Sequence, residues 1–202
     1  NNSLYSNENY GLELYSSDSN RIENNDISSN NGHGANIRYS GSNTIENNKI
    51  DSNSGYGIYF YYHSQNNLLM NNDISLNNYG VYLYSSSSNE INNNNIFSNN
   101  NYGIYSSYSS NVIENNTIES NGYYGVYFYR SNSNYIGNNT ISSNYYSGIY
   151  IRYSDSNILK KNTVTSNGGD GVYFYSSDGN DIENNTIDYH VRFTAGAQKD
   201  AW

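Results

Sequence analysis

The sequence predicts an all-β fold: a right-handed single-stranded parallel β-helix, with three short strands in each of about eight coils of 23 residues. Three observations carry that prediction. Glycines recur at Gly11, Gly34, Gly57, Gly80, Gly103, Gly125, Gly148 and Gly171, every 23 residues apart from one step of 22. Three apolar columns keep the same phase, starting at Leu12, Ile22 and Ile27. The rest of each coil is mostly Asn, Ser and Tyr, and the 202 residues contain no Pro and no Cys. Without a strict beat, so polar a chain cannot bury enough apolar surface to offset its conformational entropy.

Each coil reads the same way from its glycine onward. In the sixth, Gly125 is followed by Val126, Tyr127, Phe128 and Tyr129, an alternation that points Val126 and Phe128 to one face and the two tyrosines to the other. A second short strand centres on Ile136 and a third on Ile141, with Asn138 and Asn139 at the bend between them. The first apolar column runs Leu12, Ala35, Ile58, Val81, Ile104, Val126, Ile149 and Val172. Columns through Ile22, Ile45, Leu69 and Ile91 and through Ile27, Ile50, Ile74 and Ile96 continue in the same way, which is enough for three sheets around one narrow core. No coil buries its face alone, so stability is expected to come from stacking on both neighbours. A leucine-rich repeat has a similar period, but Asn, Ser, Gly and Tyr leave no segment suited to its outer helix.

At the bend before the third strand stands an asparagine column: Asn25, Asn48, Asn72, Asn94, Asn116, Asn139, Asn162 and Asn185. Asn tolerates the left-handed backbone of a tight bend, and its amide both donates and accepts. Stacked at roughly 4.8 Å, the column is therefore expected to form a structural ladder. Two further columns begin at Asn20 and Asn30. Glycosylation sequons start at Asn115, Asn138 and Asn184, and they are usable only if the first Asn of each pair faces solvent.

The outward positions of the first strand form the candidate functional surface. One column holds Tyr59, Tyr82, Tyr105, Tyr127, Tyr150 and Tyr173. Another, two residues on, holds Tyr15, Tyr61, Tyr84, Tyr129 and Tyr175, interrupted by Arg38, Ser107 and Arg152. A broad, flat aromatic face is expected there. Such a face suits lateral packing against another copy of the chain, or ring stacking on a polysaccharide; cross-coil stacking that serves only the sheet is the plainer alternative.

The net charge of −9 argues against nucleic acid as a partner, since the long-range field repels phosphate. No apolar stretch is long enough to span a membrane, and no signal sequence is present in this chain. With one Met, three scattered His and no Cys, neither a metal site nor a cofactor is expected.

The unit Gly-Ile-x-Leu-x-x-Ser-x-x-Asn-x-Ile-x-x-Asn-x-Ile, legible from Asn1 to about Asp188, resembles the parallel β-helix repeat family. That family includes NosD-like periplasmic proteins, carbohydrate-acting enzymes and large surface proteins. The resemblance implies the fold and an extracellular or cell-surface setting, and it is silent on activity. Copper handling of the NosD-like kind does not carry over, because clustered Met and His are missing.

Catalysis on polysaccharide needs convergent carboxylates. The candidates are Asp155 and Asp178 in equivalent turns, with Asp18, Asp181 and Glu183, all in polar turns where a solvated acid needs no further role. The expectation is therefore a non-enzymatic structural protein of a surface layer, sheath or filament, self-assembling through strand edges and the tyrosine face. A carbohydrate-binding module is the alternative, and a lyase, hydrolase or epimerase a more distant one. Two parts are expected: a repeat domain over residues 1–188 and a non-repeat cap or docking tail over 189–202.

Overall fold

The computed structural model describes residues 1–194, which form an all-β right-handed parallel solenoid of about eight turns. Its strands fall into three sheets in which every strand pairs in parallel with the equivalent strand of the next coil. The first sheet has nine strands, starting at Leu12–Tyr15, Ala35–Arg38 and Ile58–Tyr61 and ending at Val191–Thr194. The second has eight, from Arg21–Glu23 to Asp181–Glu183, and the third nine, from Ser3–Tyr5 to Thr186–Ile187.

The register puts like on like. Ile74 lies beside Ile96, Ile91 beside Ile113 and Tyr82 beside Tyr105. The three apolar columns are inside as expected, and most members are wholly buried. The four-residue strands of the first sheet contribute two inward residues each, so Phe60, Leu83, Phe128 and Phe174 widen the core on that side. Burying a side chain of this kind contributes roughly 1.5–3 kcal/mol. Ser106 is the exception in this column, fully buried where the flanking coils place Leu83 and Phe128.

Backbone proximity explains the column glycine. A Cβ on Gly57 would meet the carbonyl oxygen of Gly80 at 2.6 Å and Ile74 Cγ2 at 2.7 Å, so no larger residue fits as the chain enters the first sheet.

The asparagine ladder forms along its whole length. In every step the Nδ2 and the backbone N–H of one Asn donate to Oδ1 of the next, as in Asn116 to Asn139 at 3.0 and 2.8 Å. The same Nδ2 reaches back to the Ile91 carbonyl and to that of Glu114. These amides are inside the rod, from Asn25 to Asn162 no more than 8% exposed. One detail of the expectation is corrected. The left-handed residue is not the ladder Asn but the one before it: Asn24, Asn47, Asn71, Asn93, Asn115, Asn138, Lys161 and Asn184. The bend turns at the outer residue, which swings the following amide inward.

Val191–Thr194 pairs with Val172–Tyr175 and extends the first sheet by one strand. The remainder of the expected cap or docking tail, residues 195–202, lies outside the described residues.

Candidate functional site

The outer face of the first sheet carries three adjoining rows of aromatic side chains. The middle row is the expected column Tyr59, Tyr82, Tyr105, Tyr127, Tyr150 and Tyr173. Successive rings are 4.6–5.1 Å apart and tilted by only 2–13°. Rings this close and this parallel turn their faces on each other, so the column offers mostly ring edges and hydroxyls to solvent. Tyr127 is 8% exposed. The expectation of a flat aromatic platform is therefore corrected for this row: the regular register that aligns the rings also occupies their faces.

A second row was missed in the sequence although its signal is simple. It consists of the residue just before each column glycine: Tyr10, His33, Tyr56, Tyr79, Tyr102 and Tyr124. His33 is stacked between Tyr10 and Tyr56, at 5.2 and 4.6 Å, and its Nδ1 accepts the Tyr56 N–H at 3.0 Å. Burial lowers the His33 pKa to about 4. Burial likewise pushes the phenols of Tyr59, Tyr82 and Tyr102 well above their ordinary value, and those of Tyr105 and Tyr124 up to about 12. All of these side chains are held uncharged at neutral pH.

The third row lies along the edge where the strands leave the sheet, and it is different in kind. The expected Tyr15, Tyr61, Tyr84, Tyr129 and Tyr175 are joined by Tyr39, Tyr62, Tyr108 and Tyr153 from the following turn. Neighbouring rings here are mostly edge to face, as in Tyr84 with Tyr108 (77°), Tyr108 with Tyr129 (89°) and Tyr153 with Tyr175 (83°). Edge-to-face packing leaves ring faces free, and Tyr15, Tyr39, Tyr108 and Tyr153 are exposed.

Guanidinium groups seat themselves on this edge. Arg38 lies 5.2 Å from the Tyr15 ring and 5.4 Å from that of Tyr39. Arg130 covers Tyr129 at 5.5 Å, and Arg152 covers Tyr153 at 4.9 Å and Tyr175 at 5.4 Å. Cation–π contact fixes where each positive charge points. The Nε atoms of Arg38 and Arg152 are buried without a hydrogen-bond partner. A hydrogen bond from Arg152 holds the Tyr153 phenol below its ordinary pKa. Of the five arginines, Arg38, Arg130, Arg152 and Arg192 are on this side of the rod. The fifth, Arg21, pairs with Glu23 and Glu46 on the second sheet. On strands of the first sheet the only carboxylate among the described residues is Glu13. A protein of net charge −9 thus gathers three of its five arginines on one aromatic edge.

The carboxylates singled out in the sequence do not converge. Asp155 Oδ1 accepts the Asp178 N–H at 2.8 Å, and Asp18 Oδ1 accepts the Gly41 N–H at 2.7 Å, so both bridge successive turns. Glu183 pairs with Lys160 at 2.7 Å. A different group does converge, at the far end of the tyrosine face. Asp170 takes the place that Tyr56 and Tyr79 hold in earlier coils and is 9% exposed. Its carboxylate lies 3.0 Å from Arg192 Nε and 3.7 Å from His190 Nδ1. Beside them, Arg192 covers the ring of Tyr173, whose hydroxyl is 3.0 Å from Thr194 Oγ1.

The sequon residues Asn115, Asn138 and Asn184 face solvent. No group of His, Cys, Asp and Glu suited to a metal occurs among the described residues, and no helix is long and apolar enough to cross a membrane.

Solved structures superpose closely on this rod. The periplasmic alginate epimerase AlgG matches with a TM-score of 0.84 at 18% identity, over 88% of this chain and 47% of that one. The A-module of the mannuronan C-5 epimerase AlgE4 from Azotobacter vinelandii matches with 0.74 at 18% identity, over 91% of this chain and 57% of that one. The enzymatically active domain of tailspike protein 2 from bacteriophage CBA120 matches with 0.50 at 10% identity, over 87% and 40%. The chain thus spans about half the length of the solved structures it matches, and at such identities the likeness is one of fold. No curated protein matches the sequence significantly. The expectation of a chain without enzymatic activity is corrected by these likenesses, because the rods it resembles are two epimerases and an enzymatically active tailspike domain. That expectation had rested on carboxylates dispersed in polar turns. The profile of the right-handed β-helix region matches residues 1–134 and 90–197, and with that coverage the chain belongs to the right-handed β-helix family.

Proposed function

We propose that this β-helix binds an acidic polysaccharide outside the cytoplasm, along the tyrosine–arginine edge of the first sheet. The observation that carries the proposal is the seating of Arg38, Arg130 and Arg152 on exposed tyrosine rings in an otherwise acidic chain. Ring faces supply apolar contact to sugar C–H groups, and guanidiniums pair with carboxylates of the glycan in a fork geometry. A repeating ligand matches a repeating edge, so each added coil extends the contact. The alginate and mannuronan named for the epimerases of the same fold are acidic glycans and support this choice of ligand and setting. Lateral self-assembly through the tyrosine face, the other use anticipated from the sequence, loses support because the faces of the middle row are already paired.

The test is titration of the chain with alginate and with an uncharged dextran. Binding to alginate alone, weakened by salt and reduced about tenfold in the double variant R38A/R152A, is the expected result. Equal binding to dextran, or an affinity indifferent to salt and to both arginines, overturns the proposal.

A second reading, turnover of the bound glycan, is favoured by the Asp170, His190, Arg192 and Tyr173 group. It joins a mostly buried carboxylate, an imidazole and a phenol beside a positive charge, the kinds of group that hold and move a proton. Incubation with alginate, followed by proton NMR for inverted or unsaturated residues, is expected to show a product that D170N abolishes. Unchanged alginate with the intact chain removes this reading and leaves the binding proposal standing.

A further inference from the structure

Coil five departs from the repeat in one place. Between the end of its first strand at Ser107 and the ladder residue Asn111 there are three residues, where the coils on either side have four, Ser85–Ser88 and Arg130–Ser133. Those coils take a left-handed residue just before the ladder Asn, at Ser88 and Ser133; coil five has only Tyr108 in that turn. The shortened turn leaves Ser88 and Ser133 standing over a concavity of about 370 Å³, open to solvent, lined by Ser88, Glu90, Ser110, Asn111, Ser133 and Tyr135 among others.

Three details give this concavity the character of a site. Asn111 is 3% exposed, yet its Nδ2 has no hydrogen-bond partner. Equivalent amides in the neighbouring coils donate to a serine carbonyl of their own turn: Asn89 to Ser86 at 3.0 Å and Asn134 to Ser131 at 2.8 Å. A buried donor left unpaired costs about 1–3 kcal/mol, a cost removed by a ligand oxygen that displaces the shortened turn enough to reach it. Tyr135 supplies the second detail. A Cβ on Gly137 would lie 2.3–2.6 Å from Cε1, Cζ and Oη of Tyr135, so the ring lies down over Gly137 against the second sheet. The ring is half-buried there, beside Lys160 of the next coil. The third is charge: the one ionised group in the lining is the exposed carboxylate of Glu90.

We infer that this concavity binds a single uncharged sugar residue, stacked on Tyr135 and hydrogen-bonded by Asn111 Nδ2, Glu90 and the hydroxyls of Ser88, Ser110 and Ser133. An aromatic face beside a carboxylate acceptor, an amide donor and several hydroxyls matches a hexose, with its apolar C–H face and ring of hydroxyls. Glu90 repels an anionic sugar, so the selectivity is opposite to that of the arginine edge and the site does not depend on it. The tyrosine–arginine edge lies beyond the same turn, within reach of a branched glycan that places an acidic backbone on one and a neutral branch in the other.

The test uses the full chain and the methyl glycosides of glucose, galactose, mannose and N-acetylglucosamine, with glucuronic acid as the charged probe. NMR follows the Asn111 side-chain amide and the Tyr135 ring. Saturable millimolar binding of at least one neutral glycoside is expected, with no response to glucuronic acid, at least tenfold weaker affinity in Y135A, and no change in R152A. Insertion of one Ser after Ser109, which restores the common turn length, is expected to abolish binding, and E90Q provides a surface variant that keeps the fold. The inference is overturned if none of the four glycosides perturbs either residue, if Y135A and E90Q bind as the parent does, or if glucuronic acid binds equally well. Loss of binding in R152A as well would assign the response to the edge and overturn it too.

Discussion

The middle tyrosine row and the tyrosine–arginine edge lie side by side on one sheet and are built from the same residue, yet they do different work. In the middle row every coil contributes a tyrosine from Tyr59 to Tyr173, the rings align within 13° of parallel, and their faces are consumed by one another. On the edge the column is broken by Arg38, Ser107 and Arg152, the rings meet mostly edge to face, and guanidinium groups instead of parallel rings lie against them. The difference teaches that unbroken repetition builds the rod, while departures from it mark the places available to a ligand. The same holds for the shortened turn of coil five and for Asp170, which stands where earlier coils have Tyr.

Four experiments break or sharpen this contrast. The largest effect is expected inside an unbroken column. Asn116→Ala strands the Ile91 and Glu114 carbonyls and both donors of Asn94, and should cost about 3–5 kcal/mol in chemical denaturation. A loss below 1 kcal/mol would show that the ladder is not the main polar support of the bend.

The next effect comes from His33, a break in the row before the glycines. Its pKa is lowered from 6.5 to about 4, so the folded state favours the neutral imidazole. Its stabilisation is complete above pH 6.5, falls as pH drops toward 4 while the unfolded chain takes up the proton, and is level below that. With allowance for solvent screening, a loss on the order of 2 kcal/mol is expected across this window, and H33Y should lack it. Parallel stability profiles for the two proteins would remove the claim.

A smaller free-energy change separates the two tyrosine rows. R152A should weaken alginate binding severalfold, about 1 kcal/mol, with little change in stability. Y82L should do the reverse, lowering the denaturation midpoint while leaving affinity intact. If Y82L abolished binding and R152A did not, the roles assigned to the rows would be exchanged. The smallest effect is expected at Asp155, whose exposed carboxylate caps a turn N–H: D155A should stay within about 0.5 kcal/mol of the parent and retain alginate binding.

The fold was legible because its signal is redundant. Ile27, Ile50, Ile74 and Ile96 each repeat the same information, and no single substitution obscures the phase. The ladder was legible for the same reason. Which Asn of each pair turns inward was harder, since two adjacent amides look alike; Lys161, standing for the first Asn where Asn162 keeps the second, is the clue that the first faces out. Ring orientation was not legible, because spacing fixes where a tyrosine begins and says nothing of its tilt. The Asp170 group escaped notice because His190 and Arg192 fall where the glycine beat has ended, and only the added strand Val191–Thr194 brings them back beside Asp170.

Head-to-tail order in the internal amides gives the rod a direction. From Asn25 to Asn162 each Nδ2 donates toward the coil that follows it. The columns beginning at Asn20 and Asn30 run the same way, interrupted only at Asn111. The amide dipoles therefore add along the axis, each coil turning oxygen toward the coil before it and hydrogen toward the coil after it. Any coil stacked in this direction receives donors on one side and gives them on the other, and a coil presented upside down satisfies neither neighbour.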